Sequence, residues 1–141
     1  MAANRGKTLE KNFKSLCDAE SVRAGFSYHR FPDAMSGSFT VAPADFLIEN
    51  SGATTLVECK ETQYLNRKPN QKFRADQVAR MRKWKQAGMQ PKVIIHHTKE
   101  GGYRLIDIDF FVERDLSKGS WFFTEPAQFK TLQEVFIELL K

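Results

Sequence analysis

The 141-residue chain has only two cysteines, Cys17 and Cys59. Two thiols so placed offer neither a disulfide framework nor the paired spacing of a metal site. Both are expected to be small, buried, apolar side chains in a reducing compartment. No apolar run approaches the roughly 18–20 residues of a membrane span, and the N-terminus lacks the apolar segment of a secretion signal. A cytoplasmic protein without membrane contact is the expectation. Internal repeats and low-complexity blocks are missing too, so neither a solenoid nor a disordered tail is indicated. Acidic residues are the scarcer charge: 17 Asp and Glu against 22 Lys and Arg leave a net charge of +5. That balance favours a polyanionic partner such as nucleic acid. What is present is 41% apolar and 12% aromatic, with twelve phenylalanines. The composition is that of a folded globular chain, and the length is that of a single domain spanning residues 1–141.

Along the chain, Leu9, Phe13 and Leu16 recur at helical spacing with Cys17 on the flank, predicting a helix over about Thr8–Ala19 with Asn4 or Thr8 as its cap. Phe26–Phe31 alternates weakly as a first strand, and PDAMSG at Pro32–Gly37 is turn chemistry. Ala44–Glu49 reads as a second strand, closed by Asn50-Ser51-Gly52, a hairpin signal leading into TTLVECK at Thr54–Lys60. The stretch 61–74 is polar and basic around Pro69 and Asn70 and reads as an exposed loop. Ala75–Ala87 is a second predicted helix, with Val78, Met81 and Trp84 inward and Gly88 as its stop. Lys92–His96 and Tyr103–Ile108 read as strands joined by a turn at 99–102. Thr131 and Glu134 form a capping box for a last helix carrying Leu132, Val135, Phe136, Leu139 and Leu140. The order predicts an α/β domain around a central mixed five-stranded sheet flanked by helices, beginning αβββαβ.

The ends of the apolar strands carry charges. Asp45 opens the second strand, while Glu58 and Lys60, two positions apart, share a face at the end of the third. Pairing through the Asn50-Ser51-Gly52 turn would make Asp45 and Glu58 near neighbours. Two carboxylates that close repel unless a proton or cation lies between them, and a hard cation such as Mg²⁺ resolves the repulsion. Lys60 on the same face would orient a water or stabilise charge on a phosphate. These are the parts that metal-assisted phosphodiester hydrolysis needs. The other reading of the same spacing is a surface strand whose charged ends are simply solvated.

Pro43-Ala44-Asp45 followed by Glu58-Cys59-Lys60, in this order of helices and strands, resembles the PD-(D/E)XK nuclease superfamily. More narrowly, the chain resembles Holliday-junction resolvases of the RecU type. That resemblance runs from NRGKTLE at Asn4–Glu10 through ADFLIE, VECKET, FRADQV at Phe73–Val78 and VIIHH to Asp109-Phe110-Phe111. It implies a restriction-endonuclease-like core in which Asp45 and Glu58 hold Mg²⁺, with Mn²⁺ able to substitute, helped by the backbone carbonyl of Cys59. It implies further that Lys60 orients the attacking water, that Glu10 completes the acidic cluster, and that Gln77 faces the site. The proline stands two residues before Asp45 rather than next to it. The segment between Phe31 and Ala44 is shorter than the protruding stalk of RecU-type enzymes, which moves the chain towards the compact archaeal and phage resolvases.

Other candidates rank lower. Asp33 follows a proline but precedes polar residues and reads as a turn. His96 and His97 are adjacent on a strand and point to opposite faces, so they do not chelate one metal together. Glu61 falls on the face opposite Glu58 and Lys60 and receives no catalytic role. For nucleic-acid contact the candidates are Arg5, Lys7, Lys14, Arg30, Arg67, Lys68, Lys72 and Arg74, with a further basic group, Arg80, Arg82, Lys83 and Lys85, on the second helix. The resulting expectation is a Mg²⁺-dependent, structure-selective endodeoxyribonuclease of a bacterial, archaeal or phage-infected cell. It would act as a homodimer on branched DNA, the four-way junction, and need no small-molecule cofactor. The rivals are a nuclease of the same fold acting on other DNA, of repair or restriction type, and a catalytically silent DNA-binding module.

Overall fold

Alternation along one strand decides how the molecule is layered. In β3 (Ala53–Thr62), Val57 and Cys59 point into one apolar cluster and Leu56 into another. A strand buried on both sides reads as a nearly continuous apolar run, and residues 55–59 are all buried. The computed structural model describes residues 7–32, 43–63, 75–99, 101–112 and 127–141. The elements around β3 are α1 (Lys7–Glu20), β1 (Phe26–Arg30), β2 (Phe46–Asn50), α2 (Ala75–Gln86), β4 (Gln90–His97), β5 (Tyr103–Asp107), α3 (Asp109–Val112) and α4 (Leu132–Leu139). The sheet runs β1-β2-β3-β4-β5. Its pairings are antiparallel except β3 with β4, where Glu58 lies beside Val93 and Lys60 beside Ile95. A parallel pair needs a crossover, and α2 lies in it.

One layer is built by α1 and α4. Leu9, Phe13 and Cys17, a stripe at four-residue spacing, pack with Leu132, Val135 and Phe136 over Phe26, Phe46 and Ile48. Phe13 meets Phe46 and Phe136 edge-on, with centroids 4.9 and 5.7 Å apart. In the other layer Val78 and Met81 of α2 cover Leu56, Val93 and Ile95. The predicted hairpin is present: Asn50 pairs with Ala53, and Ser51 and Gly52 both take positive φ, as a two-residue turn of this hand requires. Gly88, at φ +108°, ends α2 as expected. The capping box is there too, with Thr131 Oγ1 accepting from the Glu134 amide at 3.2 Å and donating to its carboxylate.

The structure corrects four expectations. Trp84 is not inward but 42% exposed. The inward stripe passes from Met81 to Lys85, whose ammonium reaches Asp107 at 2.8 Å and Asp109 at 2.5 Å; Trp84 lies about 100° round the helix from it. Thr8 does not cap α1 but lies inside its first turn, and Asn4 lies outside the described residues. Strand β3 continues through Glu61 and Thr62, so the basic segment expected to begin at 61 starts later; 64–74 lie outside the described residues. The residues Asp109–Val112 form a one-turn helix that the sequence did not announce.

Candidate active site

Asp45 stands one residue ahead of β2 and is fastened to strands on both sides. Its amide donates to Val57 O at 3.1 Å, and its carbonyl accepts from Phe31 N at 2.8 Å. Its side chain turns back along β3, where Oδ2 accepts from Cys59 N at 2.8 Å. These contacts grip β3 on either side of Glu58, so the two carboxylates cannot move apart without breaking the ladder.

Glu58 is 4% exposed and Glu10 8%. Lys60 Nζ lies 3.1 Å from Glu58 Oε2, and the Gln77 amide, on α2, donates to the same carboxylate. Glu10 enters from α1, its carboxyl within hydrogen-bonding reach of Asp45. Arg30 Nη2 approaches Glu10 Oε2 at 3.4 Å. Five residues named from the sequence, Glu10, Asp45, Glu58, Lys60 and Gln77, thus converge from α1, the lead into β2, β3 and α2. Burial first, then the Glu58 charge, then Glu10, push the Asp45 carboxyl well above the usual carboxylate range, against the pull of the Cys59 amide. Burial also raises Glu58, although Lys60 and Gln77 counteract it.

The donor chemistry fits a hard divalent cation: three neighbouring carboxyl groups supply oxygen donors, and a cation among them takes the place of the protons that burial and mutual repulsion hold on Asp45 and Glu58. Among the described residues no three Asp, Glu, His or Cys side chains close round one point as a complete cage. Mg²⁺ does not need one, because it commonly takes one or two carboxylates and keeps several waters.

Other candidates lie elsewhere. The Cys59 thiol faces the α1 layer, and burial raises it well above its ordinary value; Cys17 is likewise buried and free. Lys14 pairs with Asp18 at 2.8 Å on its own helix. Lys7 begins α1, but its side chain, with Arg5, Arg67, Lys68, Lys72, Arg74 and Asp33, lies outside the described residues. His96 and His97 do face opposite ways: His96 stacks on Tyr103 at 4.4 Å, and His97 is fully buried with Nε2 3.0 Å from Arg104 Nη1. One residue was undervalued. Glu61 does face away from Glu58, but its Oε1 accepts from Leu9 N at 3.0 Å. The only signal for it was an extra acid in VECKET.

A mixed sheet between helical layers, with acids gathered at the end of a central strand, is the restriction-endonuclease-like fold. The chain is similar to Hjc of Archaeoglobus fulgidus, a Holliday junction resolvase from an archaeal hyperthermophile, with a TM-score of 0.52 and 20% identity over 82% of this chain and 88% of that one. No family model matches the sequence. No curated protein matches it either. At 20% identity the likeness is one of fold.

Proposed function

We propose that the protein is a metal-dependent endodeoxyribonuclease that resolves four-way DNA junctions by paired, symmetric nicks. The observation that carries this reading is the buried meeting of Asp45 and Glu58 beside Lys60, on a fold shared with a junction resolvase. Asp45, Glu58 and the Cys59 carbonyl would hold Mg²⁺ or Mn²⁺, with Glu10 completing the cluster directly or through water. When bound, the ion would supply Lewis acidity towards the scissile phosphate and lower the pKa of a bound water. The chain's own groups do the rest. The Lys60 ammonium, held by Glu58, directs the attacking water to phosphorus and offsets charge that builds on the phosphate oxygens. Gln77 fixes the rotamer of Glu58, and the Cys59 amide fixes that of Asp45. Arg30 stands at the rim, 40% exposed at its side chain, where a neighbouring phosphate would meet it; Lys14 and the basic residues of 67–74, which lie outside the described residues, would add charge for further phosphates. Backbone and branch shape are read rather than base sequence.

Two nicks in opposed strands require two sites related by a twofold axis, so the working form is a homodimer. Among the described residues no helix is long and apolar enough to cross a membrane. The test uses purified protein on a four-way junction, linear duplex and single strand, with Mg²⁺, Mn²⁺ or EDTA. Symmetric junction nicks that need the divalent ion are expected. Equal cutting of linear duplex would overturn junction selectivity in favour of a repair or restriction-type nuclease. Tight binding without cutting under every ion would make the protein a silent binding module.

A further inference from the structure

The first turn of an α-helix has amides with no acceptor inside the helix, and the usual remedy is a side-chain oxygen from the residue just before it. In α1 the Leu9 amide is satisfied from 52 residues away, by Glu61 Oε1 at 3.0 Å. The carboxylate also sits at the positive end of the helix dipole, which favours it. What this bond joins is informative. On β3, Glu61 follows Lys60 directly and lies three residues beyond Glu58, on the opposite face. On α1, Leu9 immediately precedes Glu10, whose buried carboxyl reaches Asp45. This hydrogen bond therefore ties the strand that bears Glu58 and Lys60 to the helix that bears Glu10.

The other described contacts of α1 with the sheet are an apolar stripe, Leu9, Phe13 and Cys17, and two polar ties to β1, from Tyr28 Oη to Asp18 and from Arg30 to Glu10. Apolar packing sets distance well but direction poorly, because it is non-directional. A slip of one residue along α1 means a 1.5 Å shift and a 100° rotation, enough to carry Glu10 out of the site. Among these contacts, the bond to Glu61 is the one that ties the turn carrying Glu10 directly to β3. Glu61 is itself confined: it lies beside His96 in the β3–β4 register, and His96 lies beside Tyr103, on which it stacks.

We infer that Glu61 is a positioning residue for the cleavage reaction, a register clamp between β3 and α1 that presents Glu10 to the carboxylate cluster. The inference rests on the nuclease reading of the site and deepens it. The test compares Glu61→Ala with Glu61→Gln, whose amide oxygen still accepts from Leu9, each alone and combined with Glu10→Gln. Glu61→Ala is expected to lower kcat on the junction about tenfold or more, with KM within about twofold. Glu61→Gln restores most of kcat, and Glu61→Ala adds no further loss once Glu10 is Gln. Equal losses from Glu61→Ala in both Glu10 backgrounds, or failure of Gln to rescue, would overturn the clamp.

A second readout does not depend on cleavage. By NMR, Glu61→Ala should speed exchange of the Leu9 amide and move the carboxyl carbon resonance of Glu10, whereas Glu61→Gln leaves both near wild type. An unmoved Glu10 resonance overturns the clamp even if the protein cuts DNA. If the wild type cuts nothing, the nuclease reading falls, while the clamp is still decided by these resonances. Should Glu61→Ala not fold, Glu61→Asp, one methylene too short to reach Leu9, carries the same two expectations.

Discussion

At the scale of the residue, carboxyl groups buried together destabilise a fold unless a proton or a cation separates them. Asp45 and Glu58 are in that condition, both raised above their ordinary range. In the folded chain they hold their protons to higher pH than in the unfolded chain, where such groups titrate near about 4. Their burial therefore costs nothing in charge repulsion below that pH, and stability is lost as pH rises through the folded values. Asp45→Asn should then raise the melting temperature of the metal-free protein, by the equivalent of about 1–2 kcal/mol near neutral pH. The gap from wild type should widen between about pH 5 and 8, as thermal denaturation in EDTA would report. The same substitution, like Glu58→Gln, should abolish cleavage while keeping or tightening DNA binding, since phosphate meets less negative charge. Unchanged cleavage in both would place the chemistry elsewhere. Trp84 gives a contrary case. At 42% exposure, Trp84→Ala should cost under about 1 kcal/mol rather than the roughly 3–5 of a buried aromatic, measurable by urea unfolding.

At the scale of the element, most of the secondary structure was legible because apolar spacing is dense and punctuated by turn residues. The hairpin at Asn50-Ser51-Gly52, the stop at Gly88 and the box at Thr131 and Glu134 all rest on local chemistry, and all three are present. Thr131→Ala should cost about 1 kcal/mol by removing the acceptor for the Glu134 amide, and calorimetry would show a drop of a few degrees. Phe13→Ala, which empties the place where α1 meets Phe46 and Phe136, should cost roughly 3–5 kcal/mol. What stayed hidden was settled at a distance. The Leu9 amide in the first turn of α1 is satisfied by Glu61 on β3, which no window of neighbouring letters contains. The face of Trp84 depended on how Val78 and Met81 would pack on Leu56, Val93 and Ile95, residues of distant strands. The meeting of Asp45 and Glu58 was legible because a hairpin fixes its own register, while the role of Glu10 came from resemblance and its inward reach from a place about 60° round the helix from Phe13.

At the scale of the whole molecule, a net charge of +5 implies, on the proposed reading of phosphate contact through Lys and Arg, strong salt dependence. Affinity for a junction should fall by about tenfold or more between roughly 50 and 200 mM salt, as fluorescence anisotropy would report; a flat response would remove the electrostatic account of binding. The parallel pairing of β3 with β4 has a further consequence. Glu10, Asp45 and Glu58 all precede the crossover, yet the wall behind Glu58 is Val93 on β4. A nascent chain whose synthesis has reached only β3 contains the three acids and the hairpin that joins Asp45 to Glu58, but lacks Gln77 of α2 and the β4 strand that complete the surroundings of Glu58. On the nuclease reading, such a chain, still on the ribosome, meets nucleic acid with its positive charge but without a blade. The order of translation itself delays cutting until the sheet has closed.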